Sequence, residues 1–80
     1  MFTVYGGPQC PYCKYAVDLL VREGYEYEFI NLHDDEDARR YVVETLRERK
    51  IPQIFDEEVH IGGYTDLTEY LRETGFDNLF

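Results

Sequence analysis

The apolar pattern of this chain changes period across one short break, and its only two cysteines sit just past that break. Before it, Phe2 and Val4 alternate with Thr3 and Tyr5. That two-residue period predicts a strand from Met1 to Tyr5. Gly6-Gly7-Pro8 interrupts it. After Cys10, the apolar residues Cys13, Ala16, Val17, Leu20 and Val21 recur at i, i+3, i+4, i+7 and i+8, one face of a helix. Cys10 falls at the N-cap position. Pro11 suits the first helical position, where its missing N–H would have had no partner. Gly24 stops the helix as a glycine past its C-terminus does.

Tyr25 to Leu32 reads as a second strand. A strand–helix–strand unit of this length is right-handed, so strands one and two are expected to be parallel. The acidic run Asp34-Asp35-Glu36-Asp37 then sits where a helix N-terminus favours negative charge, with Asp34 or Asp35 as the N-cap. Ala38, Tyr41, Val42, Thr45, Leu46 and Arg49 repeat at helical spacing, and Arg47, Arg49 and Lys50 gather at the predicted C-terminal end. Ile51 to Phe55 is a third strand, and Val59-His60-Ile61 a fourth. The short Asp56-Glu57-Glu58 connection makes them a hairpin. Gly62-Gly63 ends the hairpin. Thr65 is the expected N-cap of a last helix that turns Leu67, Tyr70 and Leu71 inward and stops at Gly75. Phe76 to Phe80 shows no periodicity. The order β-α-β-α-β-β-α predicts an α/β fold: one four-stranded mixed sheet, strand order 2-1-3-4, flanked by three helices in a single domain spanning residues 1–80.

A chain of 80 residues has a thin core, because a domain this small buries only about 60–65% of its unfolded surface. The eight tyrosines suit that, since each buries a ring and keeps its hydroxyl wet. Net charge is −9. A nucleic-acid partner needs a basic footprint and an anionic membrane repels such a chain, so neither is expected. The same charge opposes self-association and favours basic partner surfaces, so a monomer is expected. No stretch reaches the roughly 18 apolar residues of a membrane span. The N-terminus lacks the pattern of a signal peptide. A cytoplasmic protein is the expectation.

Two cysteines cannot build the multi-bridge framework of a small secreted domain. Cys10 and Cys13, two residues apart at a helix start, can do three things. They can exchange disulfides, form half of a structural zinc site, or lie inert in the core. Zinc normally takes a second such pair or two closely spaced histidines, and His33 and His60 are far apart in sequence. The placement between a strand and a helix favours redox chemistry. A thiol at a helix N-terminus faces backbone N–H groups and the positive end of the dipole, an environment that favours thiolate. Cys10 at the cap is the expected nucleophile, its sulfur turned toward the N–H groups of Tyr12 and Cys13. Cys13, one turn in on the apolar face, is the expected resolving thiol.

Three segments together carry a resemblance to a known family. Cys10-Pro11-Tyr12-Cys13 is identical to the active-site tetrapeptide of dithiol glutaredoxins. Ile51-Pro52 resembles their Thr-Val-Pro segment, whose proline is cis. Gly62-Gly63-Tyr64-Thr65-Asp66-Leu67 resembles their Gly-Gly-x-Asp-Asp-Leu segment. The resemblance spans the chain to about Arg72, and the Ile-Pro-Gln-Ile-Phe run looks most like that of small phage-type glutaredoxins; for a phage-encoded protein the compartment would be the host cytoplasm.

The resemblance implies a thioredoxin-like fold. It implies a glutathione-dependent thiol–disulfide oxidoreductase that reduces protein disulfides and glutathione mixed disulfides, with ribonucleotide reductase among the candidate protein partners. Glutathione is then a co-substrate, and no tightly bound cofactor or metal is expected. Tyr12 would flank the glutathione sulfur. Ile51, before cis-Pro52, would pair with its cysteinyl backbone. Tyr64, Thr65 and Asp66 would hold the γ-glutamyl end at a helix N-terminus. The chain departs from the pattern at three positions. Gly7 stands where the family usually has a lysine, Lys50 replaces the threonine of Thr-Val-Pro, and Thr65 replaces an aspartate. Arg49 or Lys50 is expected to supply the lost positive charge. Two alternatives remain: an NrdH-type redoxin recharged by thioredoxin reductase, and a non-catalytic module that binds a metal or an iron–sulfur cluster.

Overall fold

The structure, a computed structural model, describes residues 1–74. Its four strands are β1 (Phe2–Gly6), β2 (Tyr27–Asn31), β3 (Gln53–Asp56) and β4 (Val59–Gly62). They form one sheet in the order β2-β1-β3-β4. β1 pairs with β2 in parallel and with β3 antiparallel, and β3–β4 is the hairpin. The predicted strand order and mixed pairing are therefore present.

Alternation in β1 sorts the two faces of the sheet. Phe2 and Val4 are buried on one face, against Ala16, Leu19 and Leu20 of helix α1 (Pro11–Arg22) and Leu67 and Leu71 of helix α3 (Tyr64–Thr74). Ile54 of β3 joins them. Thr3 and Tyr5 face the other way. There the ring of Tyr5 lies 5.8 Å from those of Tyr41 and Phe55, so the second helical segment covers this face. The core sits almost wholly on the α1–α3 side. β2 is an edge strand, and its residues Tyr27, Glu28 and Phe29 are exposed. No described helix is long and apolar enough to cross a membrane.

Several boundaries differ from the expectation. β2 begins at Tyr27; Tyr25 instead packs edge-on against Phe2, with centroids 5.1 Å apart. The second helix is shorter than its sequence period. α2 covers Glu36–Arg40, capped by the Asp35 carboxylate, and runs into one π-helical stretch, Tyr41–Thr45. The N–H of Leu46 reaches back five residues to the carbonyl of Tyr41, at 3.0 Å. Arg47 then takes a left-handed conformation, φ 58°, and the helix is over. Arg47, Arg49 and Lys50 thus lie beyond the helix and do not complement its dipole. The left-handed Arg47 closes the helix, with Glu48 N–H reaching back to the carbonyl of Val42 at 3.1 Å, and Pro52 keeps Ile51 out of helical conformation beyond it.

The last helix also starts earlier than expected. Leu67 N–H bonds the carbonyl of Gly63 at 2.9 Å. Gly63 therefore holds the N-cap place and Thr65 is the second helical residue, not the cap. Asp66 reaches back to accept the N–H of Gly63 at 3.0 Å, as the third residue of a capping box does. The predicted stop at Gly75 and the tail from Phe76 lie outside the described residues.

Candidate functional site: a dithiol at a helix N-terminus

Cys10 is the N-cap of α1, with extended backbone angles of φ −117° and ψ 106°. Its carbonyl accepts the first helical bond, from Lys14 N–H at 3.2 Å. Its sulfur accepts the N–H of Cys13 at 3.2 Å. Of the two donors expected, Tyr12 and Cys13, Cys13 supplies the bond. The Cys10 Sγ also lies 3.8 Å from the carbonyl oxygen of Ile51, to which the protonated thiol can donate. Lys14 is paired with Asp18 at 3.1 Å on the exposed side of the helix, so its charge is largely spent there and in solvent.

Cys10 is partly exposed and Cys13 buried, both as free thiols. Cys13 is 1% exposed and packs directly under β1. A Cβ on Gly6 would fall 2.6 Å from its sulfur, closer than any side chain can stand. Glycine at position 6 is therefore what lets the second thiol tuck beneath the strand. Burial, first of all, pushes the Cys13 thiol up to about 12; its hydrogen bond to Cys10 and the nearby Cys10 charge act in the same direction, against a lowering contact from the Gly7 backbone. The two thiols are thus unequal: one reachable at the cap, one held protonated beneath it.

Beside Cys10 opens a cavity of about 480 Å³, within the range of small-ligand sites. It brings together every residue picked out from sequence around the dithiol: Tyr12, Ile51, Pro52, Tyr64, Thr65 and Asp66, with Lys50 and Glu48 on its wall. The Ile51–Pro52 peptide is cis. Tyr12, Tyr15 and Tyr64 form a mutual cluster, with centroids 5.6 to 6.0 Å apart. The N-terminus of α3 forms one end of the cavity, and helix geometry leaves the N–H groups of Tyr64 and Thr65 without an intrahelical acceptor. Arg49 lies elsewhere, in a shallow groove with Val43, Glu44 and Arg47. Gly7 lines a separate groove together with Cys10 and Cys13 themselves, so the two thiols border that groove and the cavity lies next to them across Tyr12 and Ile51. Of the two cations expected to replace the missing lysine, only Lys50 reaches the cavity.

Sequence reasoning missed Gln53 and His60. Gln53 is the one buried polar residue of the described core, and it bonds both His60 and the carbonyl of Lys50. The available signal was a polar residue inside the otherwise apolar run Ile51-Pro52-Gln53-Ile54-Phe55.

A four-stranded mixed sheet with a dithiol at the start of α1 and a cis-proline beside it defines a thioredoxin-like oxidoreductase. Comparison with known proteins narrows the class. The glutaredoxin family model matches residues 1–61. The chain is 38% identical over 78 residues to a glutaredoxin of Neisseria meningitidis, covering 96% of this chain and 92% of that one. It is 30% identical over 82 residues to glutaredoxin 1 of Escherichia coli, covering 89% and 92%. The solution structure of glutaredoxin from Brucella melitensis superposes with a TM-score of 0.76 at 36% identity, covering 98% of this chain and 85% of that one. A buckwheat glutaredoxin–glutathione complex superposes with a TM-score of 0.78 at 25% identity, covering 90% and 68%. The chain belongs to the glutaredoxin family and is a thiol–disulfide oxidoreductase.

Proposed function

We propose that the protein uses glutathione as its reductant and acts on glutathione mixed disulfides and protein disulfides. The carrying observation is the cavity that runs from Tyr12 and Ile51, whose carbonyl lies 3.8 Å from the sulfur of the partly exposed Cys10, to the N-terminus of α3. Its two ends match the two ends of a small peptide thiol. The sulfur meets Cys10, with the Tyr12 ring beside it. The backbone of Ile51, before cis-Pro52, pairs with the cysteinyl unit. The α-carboxylate of the γ-glutamyl group takes the free N–H groups of Tyr64 and Thr65, where the helix end favours an anion. Asp66 faces the ammonium, and Lys50 attracts the glycine carboxylate.

In the monothiol reaction, the Cys10 thiolate attacks the glutathionyl sulfur of a mixed disulfide. A Cys10–glutathione disulfide forms and the other thiolate leaves. A second glutathione thiolate then attacks the glutathionyl sulfur, releasing Cys10 and oxidised glutathione. In the dithiol reaction Cys10 attacks a protein disulfide. Cys13 loses its proton and attacks Cys10 Sγ, which expels the protein thiolate and leaves a Cys10–Cys13 disulfide for two glutathiones to reduce. The raised Cys13 thiol has a use here. Burial keeps it protonated, and the hydrogen bond to Cys10 and the smaller effect of the Cys10 charge, which act in the same direction, are removed once Cys10 is in a disulfide. Ribonucleotide reductase remains a candidate partner by family resemblance.

Two observations favour the second reading, reduction by thioredoxin reductase. Glu48 lines the cavity and Gly7 offers no cation, both unfavourable to glutathione carboxylates. Consumption of NADPH separates the two. Our reading expects turnover with glutathione plus glutathione reductase, and little with thioredoxin reductase. The reverse result refutes it.

A further inference from the structure

We infer that Gln53 and His60 are positioning residues, which hold the Lys50–Pro52 segment against Cys10 and thereby set the affinity of the cavity for its thiol substrate. The inference rests on the glutathione reading above.

The Lys50–Pro52 segment lies between the end of the helical stretch and the start of β3, outside the sheet ladder. Yet it must be placed accurately. Its Ile51 carbonyl stands 3.8 Å from Cys10 Sγ, and its residues form a wall of the cavity. The Gln53 side chain provides one anchor. Its Nε2 donates to the carbonyl of Lys50 at 2.9 Å. Gln53 borders the cavity yet is only 5% exposed, its amide being taken up by Lys50 and His60, so water does not readily replace that bond.

The amide can point only one way. With its nitrogen on the Lys50 carbonyl, its oxygen faces His60 Nε2 at 2.7 Å. The reverse orientation would set oxygen against oxygen at Lys50. Oε1 is therefore an acceptor, and His60 Nε2 carries the hydrogen in either protonation state of the ring. His60 is fixed in turn by stacking on Phe55, with centroids 4.7 Å apart and planes 15° from parallel.

A β-bulge puts His60 there. Ile54 pairs with Gly62 and Phe55 with His60, so Ile61 is an extra residue in β4. Ile61 packs against the core on the α1–α3 side, while His60 turns to the face that carries Phe55 and Gln53. Re-aiming a side chain beside a site is what bulges do. The result is a chain of contacts from Phe55 through His60 and Gln53 to the Lys50 carbonyl, one peptide unit from Ile51. Removing His60 N–H leaves a buried amide oxygen unpaired. The amide can recover a partner only by giving up Lys50.

Three variants test this: Gln53→Met, His60→Phe, which keeps a ring on Phe55, and the double variant. His60 is at the surface, so His60→Phe keeps the test open even where Gln53→Met does not fold. Steady-state kinetics with a glutathione mixed disulfide should show KM raised about fivefold in each single variant, the factor expected for one net hydrogen bond, with kcat little changed. The double variant should be no worse than Gln53→Met, because both act through one chain of contacts. Alkylation of Cys10 by iodoacetamide, which does not need the cavity, should stay within about twofold of wild type. Unchanged KM in folded variants, multiplicative effects in the double variant, or an alkylation rate that falls with affinity would each overturn the positioning role. A wild type inactive on the glutathione mixed disulfide overturns the glutathione reading, and this inference with it.

Discussion

Cys13 donates its backbone N–H to the sulfur of Cys10 at 3.2 Å, while its own sulfur lies buried beneath β1. One residue thus serves the nucleophile twice, as a hydrogen-bond donor through its main chain and as a held-back thiol through its side chain. The inequality of the two sulfurs has direct consequences.

Alkylation should find only one of them. Brief treatment of the reduced protein with iodoacetamide near neutral pH should give a single adduct on Cys10, read by peptide mass spectrometry. Cys13 is closed off by burial and protonated well past that pH. A major adduct on Cys13 would reverse the assignment.

The raised thiol also predicts a pH dependence of stability. The folded chain holds the Cys13 proton up to about 12, against an ordinary value near 9. The unfolded chain releases it earlier. The group's contribution to stability is therefore complete below pH 9 and is lost as pH rises toward 12. Tyr5 and Tyr70 are raised as well and add to the same decline. Urea unfolding of the reduced protein should show stability falling more steeply in this window for wild type than for Cys13→Ala.

Gly6→Ala should be costly for its size. The new methyl would meet Cys13 Sγ at 2.6 Å and the Phe29 ring at 3.2 Å. Overpacking of this kind destabilises by about 2 kcal/mol. Chemical denaturation measures the loss, and an increase in Cys13 alkylation should accompany it as the thiol is displaced.

Lys50 and Arg49 should behave differently despite being neighbours. Lys50 lines the cavity and Arg49 does not. Lys50→Ala should raise KM for a glutathione mixed disulfide about threefold at low salt, less at high salt, as exposed charge pairs do. Arg49→Ala should leave it unchanged. Equal effects would mean that long-range charge rather than contact is at work.

Much of this architecture is legible in the chain because local signals agree. The alternation of Phe2 and Val4, the Cys10-Pro11 helix start and the Asp35 cap each specify their own element, the strand–helix–strand unit sets β2 parallel to β1, and the short connection from Asp56 to Val59 sets β4 beside β3. The errors fall where tertiary demands override local pattern. Tyr41 to Arg49 has helical spacing, but the helix closes at a left-handed Arg47, a conformation usually marked by glycine or asparagine and so not visible in this sequence. Thr65 resembles a cap, yet the Asp66 carboxylate reaches Gly63 and moves the start of the helix back. The Gln53–His60 pair was not legible, because it depends on a one-residue bulge at Ile61 that no period in the sequence marks.

The most direct test is turnover of a glutathione mixed disulfide by wild type, Cys13→Ser and Cys10→Ser, run beside reduction of a protein disulfide. The account predicts that wild type performs both reactions. Cys13→Ser should keep the first and lose the second, and Cys10→Ser should lose both. A Cys10→Ser protein that still turns over the mixed disulfide, or a Cys13→Ser protein that cannot, would contradict it.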